Sequence, residues 1–286
     1  MRARRLRACA SKKRVNGMTN ASDYFKDKVA VVTGAASGIG LALCEAMLAQ
    51  GASKVVLADF NDDNLKREAG RLERAYPGRT LGLHCDVSQE AEVKAMIEKA
   101  VAFGGRIDLL FNNAGSGFMK NFDDTTNADW TKAFALNFYG ALYGVRAVLP
   151  IMRRQGGGHV VNTISGIAFS PMPQQTMYSA TKAALNALTL SLRYELWDEN
   201  IRFTSATPGT TVTAIWNGLT PPPGAQTPAE SARKILAGVA RNERLVMGDD
   251  GDARGARDGF DPDQNAGKDQ YFLNVARRRR AGEMAI

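Results

Sequence analysis

The sequence predicts an α/β protein built on a doubly wound parallel sheet, and three observations carry that prediction. Short apolar runs alternate along the chain with helical patterns of ten or more residues, the signature of parallel strands joined by crossover helices. The first strand pattern runs into a glycine-rich turn and then a helix. Composition is that of an ordinary globular domain, 44% apolar and 23% charged over 286 residues.

Taken in order, Val29–Thr33 reads as a buried strand, and residues 38–50 read as a helix stopped by Gly51. A strand over 54–58 and a charged helix around 62–75 follow. Next come a strand over 80–85 and a helix opened by Ser88. In that helix Val93, Met96, Ile97, Ala100 and Val101 form one apolar stripe. A strand over 107–111 precedes a long helical region from about Asn127 to Arg154. A strand over 160–164, a helix around 176–200 and a strand over 202–206 complete the alternation. Thr210–Gln226, with Trp216, Leu219 and Pro221–Pro223, has no clean period and reads as a substrate lid or a mobile connection. Thr227-Pro228-Ala229-Glu230 is a capping box with proline at the first helical position, so a helix starts there.

Charge divides the chain unevenly. Residues 1–17 hold Arg2, Arg4, Arg5, Arg7, Lys12, Lys13 and Arg14 and no acid, which accounts for seven of the eight net positive charges. The body is therefore almost neutral, which argues against a nucleic-acid partner. The leader fits a transit peptide, a nucleic-acid arm or an upstream translation start before Met18; the last is favoured, and its removal is expected to be neutral. No run of apolar residues approaches the length of a membrane span, so no membrane partner is expected. Cys9, Cys44 and Cys85 form no pattern and point to a reducing, cytoplasmic setting. Two histidines, His84 and His159, without clustered cysteines give no metal site. The expected division is a flexible leader over 1–26, a catalytic domain over 27–247, and a poorly ordered Gly/Asp-rich and basic tail over 248–286.

The turn after the first strand reads Thr33-Gly34-Ala35-Ala36-Ser37-Gly38-Ile39-Gly40. Glycines there let the backbone approach a pyrophosphate, and the helix start offers free N–H groups. Asp59 closes the second strand, 19 residues past Gly40, where a carboxylate can accept from both hydroxyls of an adenosine ribose. Such an acid disfavours a 2′-phosphate, and Ala35, Ala36, Ser37, Phe60 and Asn61 bring no cation to offset it; the expected cofactor is NAD. Tyr178 and Lys182 lie four apart on one helix face, and a nearby cation favours a phenolate. Ser165 ends a strand 13 residues earlier, where its hydroxyl can meet a substrate oxygen. Gly156-Gly157-Gly158 precedes a strand and reads as a flexible turn, not a phosphate loop.

Together these residues resemble the short-chain dehydrogenase/reductases. The resemblance runs from about Asp27 to Met247 and rests on ordered motifs: Thr33-Gly34-x-x-x-Gly38-Ile39-Gly40, Asp86-Val87, Asn112-Asn113-Ala114-Gly115, Asn137, Ser165, Tyr178-x-x-x-Lys182, and Pro208-Gly209 followed by Thr213. It implies a single Rossmann-like domain with seven parallel strands in the order 3-2-1-4-5-6-7. It also implies a nicotinamide cofactor across the carboxyl ends of the strands. Tyr178 is then the acid and base, Lys182 lowers its pKa and binds the nicotinamide ribose, and Ser165 positions the substrate oxygen. Asn137 interrupts a helix and holds a relay water. Asp86 contacts adenine with Val87 beside it, Asn113, Ala114 and Gly115 pack near the adenosine, and Pro208, Gly209 and Thr213 lie near the carboxamide. The implied reaction interconverts a secondary alcohol and a ketone. The cleft is expected to be lined by Ile167, Phe169, Met172, Gln174 and Trp216, suiting a hydrophobic, steroid-like substrate. A 3-oxoacyl-type reductase and a non-catalytic dinucleotide sensor are the rival readings. Relatives pair through the helices here read at 131–152 and 176–197, so a homodimer or homotetramer is expected.

Overall fold

The computed structural model describes residues 23–216 and 220–283. Seven parallel strands form one sheet in the order β3-β2-β1-β4-β5-β6-β7. They are β1 (Val29–Thr33), β2 (Lys54–Asp59), β3 (Thr80–His84), β4 (Leu109–Asn112), β5 (Gly158–Thr163), β6 (Ile201–Thr207) and β7 (Leu245–Met247). The helices are α1 (Gly38–Ala49), α2 (Asp62–Ala75), α3 (Glu90–Gly104), α4 (Asn127–Phe134), α5 (Gly140–Arg154), α6 (Thr176–Glu195), α7 (Pro228–Ala240), α8 (Asp250–Asp258) and α9 (Asn265–Arg280). This is the Rossmann-like architecture and strand order expected from the motifs.

Two cores result from the two-residue period of β1. Ala30 and Val32 face one cluster with Leu43 and Met47 of α1 and Ile235 and Leu236 of α7. Val31 faces the other, with Met96 and Ile97 of α3 and Val145 and Val148 of α5. With both sheet faces covered, the strands are apolar throughout, which is why they read as continuous runs. The strand order reverses direction between β1 and β4, so the crevice at their carboxyl ends is the switch point where ligands of such sheets bind.

Several expectations are corrected. The helix read as opened by Ser88 begins at Glu90, because Ser88 donates its N–H and hydroxyl to Asp86 Oδ1 and stays in the turn. The leader read as ending at residue 26 includes a folded turn: Phe25 is 1% exposed within the first core, and the Tyr24 hydroxyl meets His159 Nδ1 at 2.9 Å. One aromatic pair in a short segment has no period to reveal it. Residues 1–22 lie outside the described residues.

The tail read as poorly ordered carries α8 and α9. The Asp249 side chain caps α8 by accepting from Asp252 N at 2.8 Å. Val275 of α9 is buried, and the buried Arg279 donates to the carbonyl of Pro173 and reaches Gln175 Oε1. Four arginines in the last turn of α9 also suit the negative end of its dipole. Tertiary anchoring thus overrides a poor local propensity.

The span criterion is also corrected. The stretch Asn127–Arg154 is long and apolar enough to cross a membrane by length and composition, because mean hydropathy tolerates the scattered polar residues that interrupt a pure apolar run. In the fold it is not one straight rod: α4 passes through a π-helical turn, Ala135–Tyr139, into α5, and α5 packs its Val148 and Met152 into the second core.

His159 in β5 is buried between Tyr24 and Thr204, whose hydroxyl meets Nε2 at 2.8 Å. Burial pushes its pKa down to about 3, helped by Arg193, Arg202 and Lys28. Below its unfolded pKa of 6.5 the unfolded chain binds a proton that the native ring refuses, so stability falls as pH drops from 6.5 toward 3. Going from pH 7 to pH 5 should cost about 2 kcal/mol through this ring alone. Urea unfolding of wild type and His159→Gln at both pH values checks it: the variant should be weaker at pH 7 but show a correspondingly flatter loss.

Candidate active site

The site is assembled from loops at the carboxyl ends of β1, β2, β4, β5 and β6. At the β1 end, Gly34 (φ 64°) and Gly38 (φ 53°) take left-handed backbone that side chains disfavour. A Cβ on Gly40 would lie 2.1 Å from Gly34 O, so the helix start can close onto the strand only without one. Ser37 is the N-cap of α1 but makes no side-chain cap bond, and the first turn of α1 holds no acid. The result is a helix N-terminus with a positive dipole end beside a bare backbone turn, and Ile39 adjoins it on the cavity wall.

Thr33 joins this turn to the one after β4. Its Oγ1 accepts from Asn113 N at 3.0 Å and Ala114 N at 3.1 Å, and Asn113 Nδ2 donates to Thr33 O at 3.0 Å. Asp59 is buried at the end of β2. Its Oδ2 accepts from Ala36 N and its Oδ1 from Asn61 N, both at 2.9 Å. This fixes the carboxylate against the glycine turn and leaves each oxygen a lone pair. Asp86 Oδ1 is held by Ser88, while Val87 packs in the second core against Gly140. Gly209 (φ 73°) turns the chain after β6, and the Pro208 carbonyl accepts from Ser231 Oγ at 2.8 Å. Thr213 comes back to the start of α1: its methyl would lie 3.2 Å from a Cβ on Gly38.

Ser165, Tyr178, Lys182 and Asn137 converge here. Ser165 caps a short turn, Gly166–Ala168, accepting from Ile167 N at 3.4 Å, and its hydroxyl also hydrogen-bonds the Tyr178 hydroxyl. Lys182 Nζ donates to Thr163 O at 2.8 Å and lies 5.8 Å from the Tyr178 ring centroid. Asn137 is 1% exposed within the π turn. Its Oδ1 accepts from Ser116 N at 3.0 Å, while Nδ2 donates to Ser116 O at 3.0 Å and Thr181 Oγ1 at 3.2 Å. The extra residue of the π turn frees main-chain groups at functional sites. A Cβ on Gly115 would lie 3.0 Å from Asn137 Oδ1 and 3.2 Å from Lys182 Nζ, so the bare Gly115 backbone lies beside both side chains.

Electrostatics depart from the expected pattern. Burial pushes Lys182 down to about 8. It also raises the Tyr178 phenol above its ordinary value; the Ser165 hydrogen bond acts the other way, and Asp252 raises it further. Lys182, expected to pull the phenol down, lies with its Nζ 5.8 Å from the ring centroid.

Ser165 and Tyr178 open on a cavity of about 1270 Å³, which Lys182 and Asn137 do not line. Ile167, Met172 and Trp216 line it as expected. Phe169 and Gln174 do not: Phe169 packs against Ile164 and Leu185, and Gln174 Nε2 donates to Asn121 Oδ1 at 2.7 Å. Leu219 lies outside the described residues. The cavity also takes in residues that sequence reasoning missed, above all Asp252 of α8 and Tyr271 and Phe272 of α9. The Tyr271–Val275 cluster was the one available signal. Among the described residues no group of three or more His, Cys, Asp or Glu side chains is placed to hold a metal.

Residues 28–223 match the short chain dehydrogenase family, and the chain belongs to it. An uncharacterised oxidoreductase of Staphylococcus aureus is 37% identical over 194 residues, covering 67% of this chain and 82% of that one. A short chain dehydrogenase/reductase from Burkholderia phymatum, solved in complex with NAD, superposes with a TM-score of 0.75 at 28% identity, covering 82% of this chain and 93% of its own. A 7α-hydroxysteroid dehydrogenase, solved with NADH and 7-oxo glycochenodeoxycholic acid, gives 0.74 at 26% identity, over 80% and 96%. The protein is thus an oxidoreductase of this family.

Proposed function

We propose that this chain is an NAD-dependent oxidoreductase that interconverts a secondary alcohol and a ketone. The observation that carries the reading is that Ser165 and Tyr178 line one cavity together with Ile39 of α1, while Lys182 is held by Thr163 O 5.8 Å from the Tyr178 ring centroid. The bound nicotinamide would accept a hydride from the carbinol carbon, or return it to a carbonyl. Tyr178 takes the hydroxyl proton in oxidation and gives it back in reduction. Ser165 holds the substrate oxygen against the phenol. Lys182, oriented by the Thr163 carbonyl, reaches the nicotinamide ribose, and Asn137 orders the Ser116 backbone beside it. Because burial keeps the phenol protonated at neutral pH, the site is set for ketone reduction there, with oxidation favoured at higher pH.

The residues present fit the dinucleotide. The bare turn and α1 N-terminus suit a pyrophosphate, Asp59 suits the adenosine ribose hydroxyls, and Gly115 leaves room beside Lys182. Asp86, Val87, Asn113 and Ala114 flank the adenosine side, and Pro208, Gly209 and Thr213 the nicotinamide side. Ile39, Met119, Ile167, Met172, Ile215 and Trp216 give the cavity an apolar wall that suits a hydrophobic, ring-bearing carbonyl compound. Ser37, standing where a basic residue would favour NADP, weighs against the 3-oxoacyl reading, and the assembled triad against a non-catalytic sensor. The buried free thiols Cys44 and Cys85 support a reducing, cytoplasmic setting.

Tyr178→Phe should abolish turnover, by at least about 10²-fold in kcat, while leaving the NADH dissociation constant within a factor of about three. Wild-type-like turnover in that variant would remove Tyr178 from its role; stopped-flow absorbance and NADH fluorescence read the two quantities.

Cofactor choice follows from Asp59. A 2′-phosphate would meet a carboxylate pinned by Ala36 and Asn61 in a partly desolvated pocket, so kcat/KM should favour NAD over NADP by on the order of 10²-fold. Asp59→Ala should narrow the ratio mainly by weakening NAD. Equal wild-type efficiency with both cofactors would show that Asp59 is not the ribose ligand.

Assembly follows from uncovered aromatics. Tyr139, at the end of the π turn, is 44% exposed and stacks on Tyr143 of α5, and Tyr194 of α6 is 60% exposed. These support a homodimer or homotetramer joined through α4–α5 and α6. Light scattering at micromolar concentration should return at least twice the chain mass, and a monomer would refute it.

A further inference from the structure

Four of the described α-helices place an acid at the third helical position; in α3 it is Glu92, which accepts from Asp86 N at 2.8 Å. In α4 and α7 that acid, Asp129 or Glu230, folds back onto the N-cap residue and closes a capping box. In α8 it does not. Asp249 caps the helix, yet the Asp252 carboxyl turns away into the active-site cavity and lies against Gly166, the residue after Ser165. A Cβ on Gly166 would lie 1.8 Å from Asp252 Oδ1, so only a glycine there admits the carboxyl. Gly209 plays the matching part for the cap: its Cβ would lie 2.7 Å from Asp249 Oδ2, which accepts from Thr210 N at 2.7 Å. The start of α8 is thus seated on two glycines at the ends of β5 and β6, beside the groups that handle the substrate oxygen.

We propose that Asp252 is a specificity-determining residue, a hydrogen-bond acceptor that selects substrates bearing a hydroxyl or amino group close to the reacting carbinol or carbonyl carbon. This rests on the oxidoreductase reading above and adds a polar requirement to a cavity also lined by Ile167, Met172 and Trp216. The donor lies near the reacting carbon, because Asp252 touches the residue after Ser165 and its charge acts on the Tyr178 phenol. Burial pushes the carboxyl up to about 6, with the Thr207 hydroxyl and the Gly209 amide acting against that and Asp249 adding to it. Above that value it is an anion in a partly dry pocket, where a substrate donor adds to the Thr207 and Gly209 contacts and a plain hydrocarbon displaces water from it with nothing in return. Selection by a buried polar group works chiefly by this penalty on the analogue that lacks the donor.

The test compares cyclohexanol, trans-cyclohexane-1,2-diol and trans-2-aminocyclohexanol with wild type, Asp252→Asn and Asp252→Ala. NADH formation gives kcat/KM, and the fluorescence of enzyme-bound NADH gives affinity in the dead-end ternary complex. Wild type should favour at least one donor-bearing alcohol over cyclohexanol by about tenfold or more in either readout. Asp252→Ala should erase that ratio, the donor-bearing compound losing about tenfold more than cyclohexanol, and Asp252→Asn, which keeps an acceptor, should restore part of it for the diol. Equal handling of all three alcohols by wild type overturns the proposal, as does an equal fall for all three in Asp252→Ala, the mark of a merely structural residue. No change in NADH fluorescence on adding wild-type enzyme overturns the dinucleotide reading and this one with it; intact NADH binding without discrimination overturns this one alone.

Discussion

The arrangement depends on one close approach, that of the turn after β1 to the turn after β4. Thr33 Oγ1 takes two amides from the second turn, and Asn113 returns a bond to the Thr33 carbonyl. A Cβ on Gly34 would lie 2.9 Å from Ala114 Cα, so no side chain can enter this contact. Its consequence is geometric. The N-terminus of α1 and the backbone of Gly115 meet at the switch point of the sheet, and Lys182 and Asn137 arrive at that same Gly115 from α6 and the π turn.

Burial then sets the chemistry. Lys182 sits in a dry pocket, keeps a backbone carbonyl as partner and has its pKa drawn down toward neutrality. The phenol of Tyr178 is driven the opposite way by the same desolvation, because its charged form is the anion. The two groups, nearly matched in proton affinity in water, are thus driven apart, with the lysine now losing its proton before the phenol.

The carboxyl-terminal helices couple this site to a part of the chain that has little helix-forming character of its own. The guanidinium of Arg279 binds the Pro173 carbonyl and the Gln175 side chain, just ahead of the helix that bears Tyr178. Tyr271 and Phe272 line the cavity from the same helix. Removal of the strap would therefore disturb both the wall of the cavity and the entry into α6.

How much was legible depends on whether the cause was local. The strands, their alternation with helices and the residues Gly34, Gly38, Asp59, Ser165, Tyr178 and Lys182 could be read because each lies at a strand end or helix face whose pattern is contiguous. Sequence alone determined the fold class and marked these residues as candidates, since a parallel sheet with covered faces must be apolar and its switch point must carry the turns. The tertiary structure decided the rest. Phe25 enters the core as a single residue with no period to betray it, and the burial that raises the Tyr178 phenol is a property of the surrounding fold. The helices α8 and α9 form on Arg279, Val275 and two glycine seats contributed from elsewhere in the chain. Asp252 faces Gly166 only because the end of β5 and the start of α8 meet in space, and an acid at a helix start reads in sequence as a cap and nothing more.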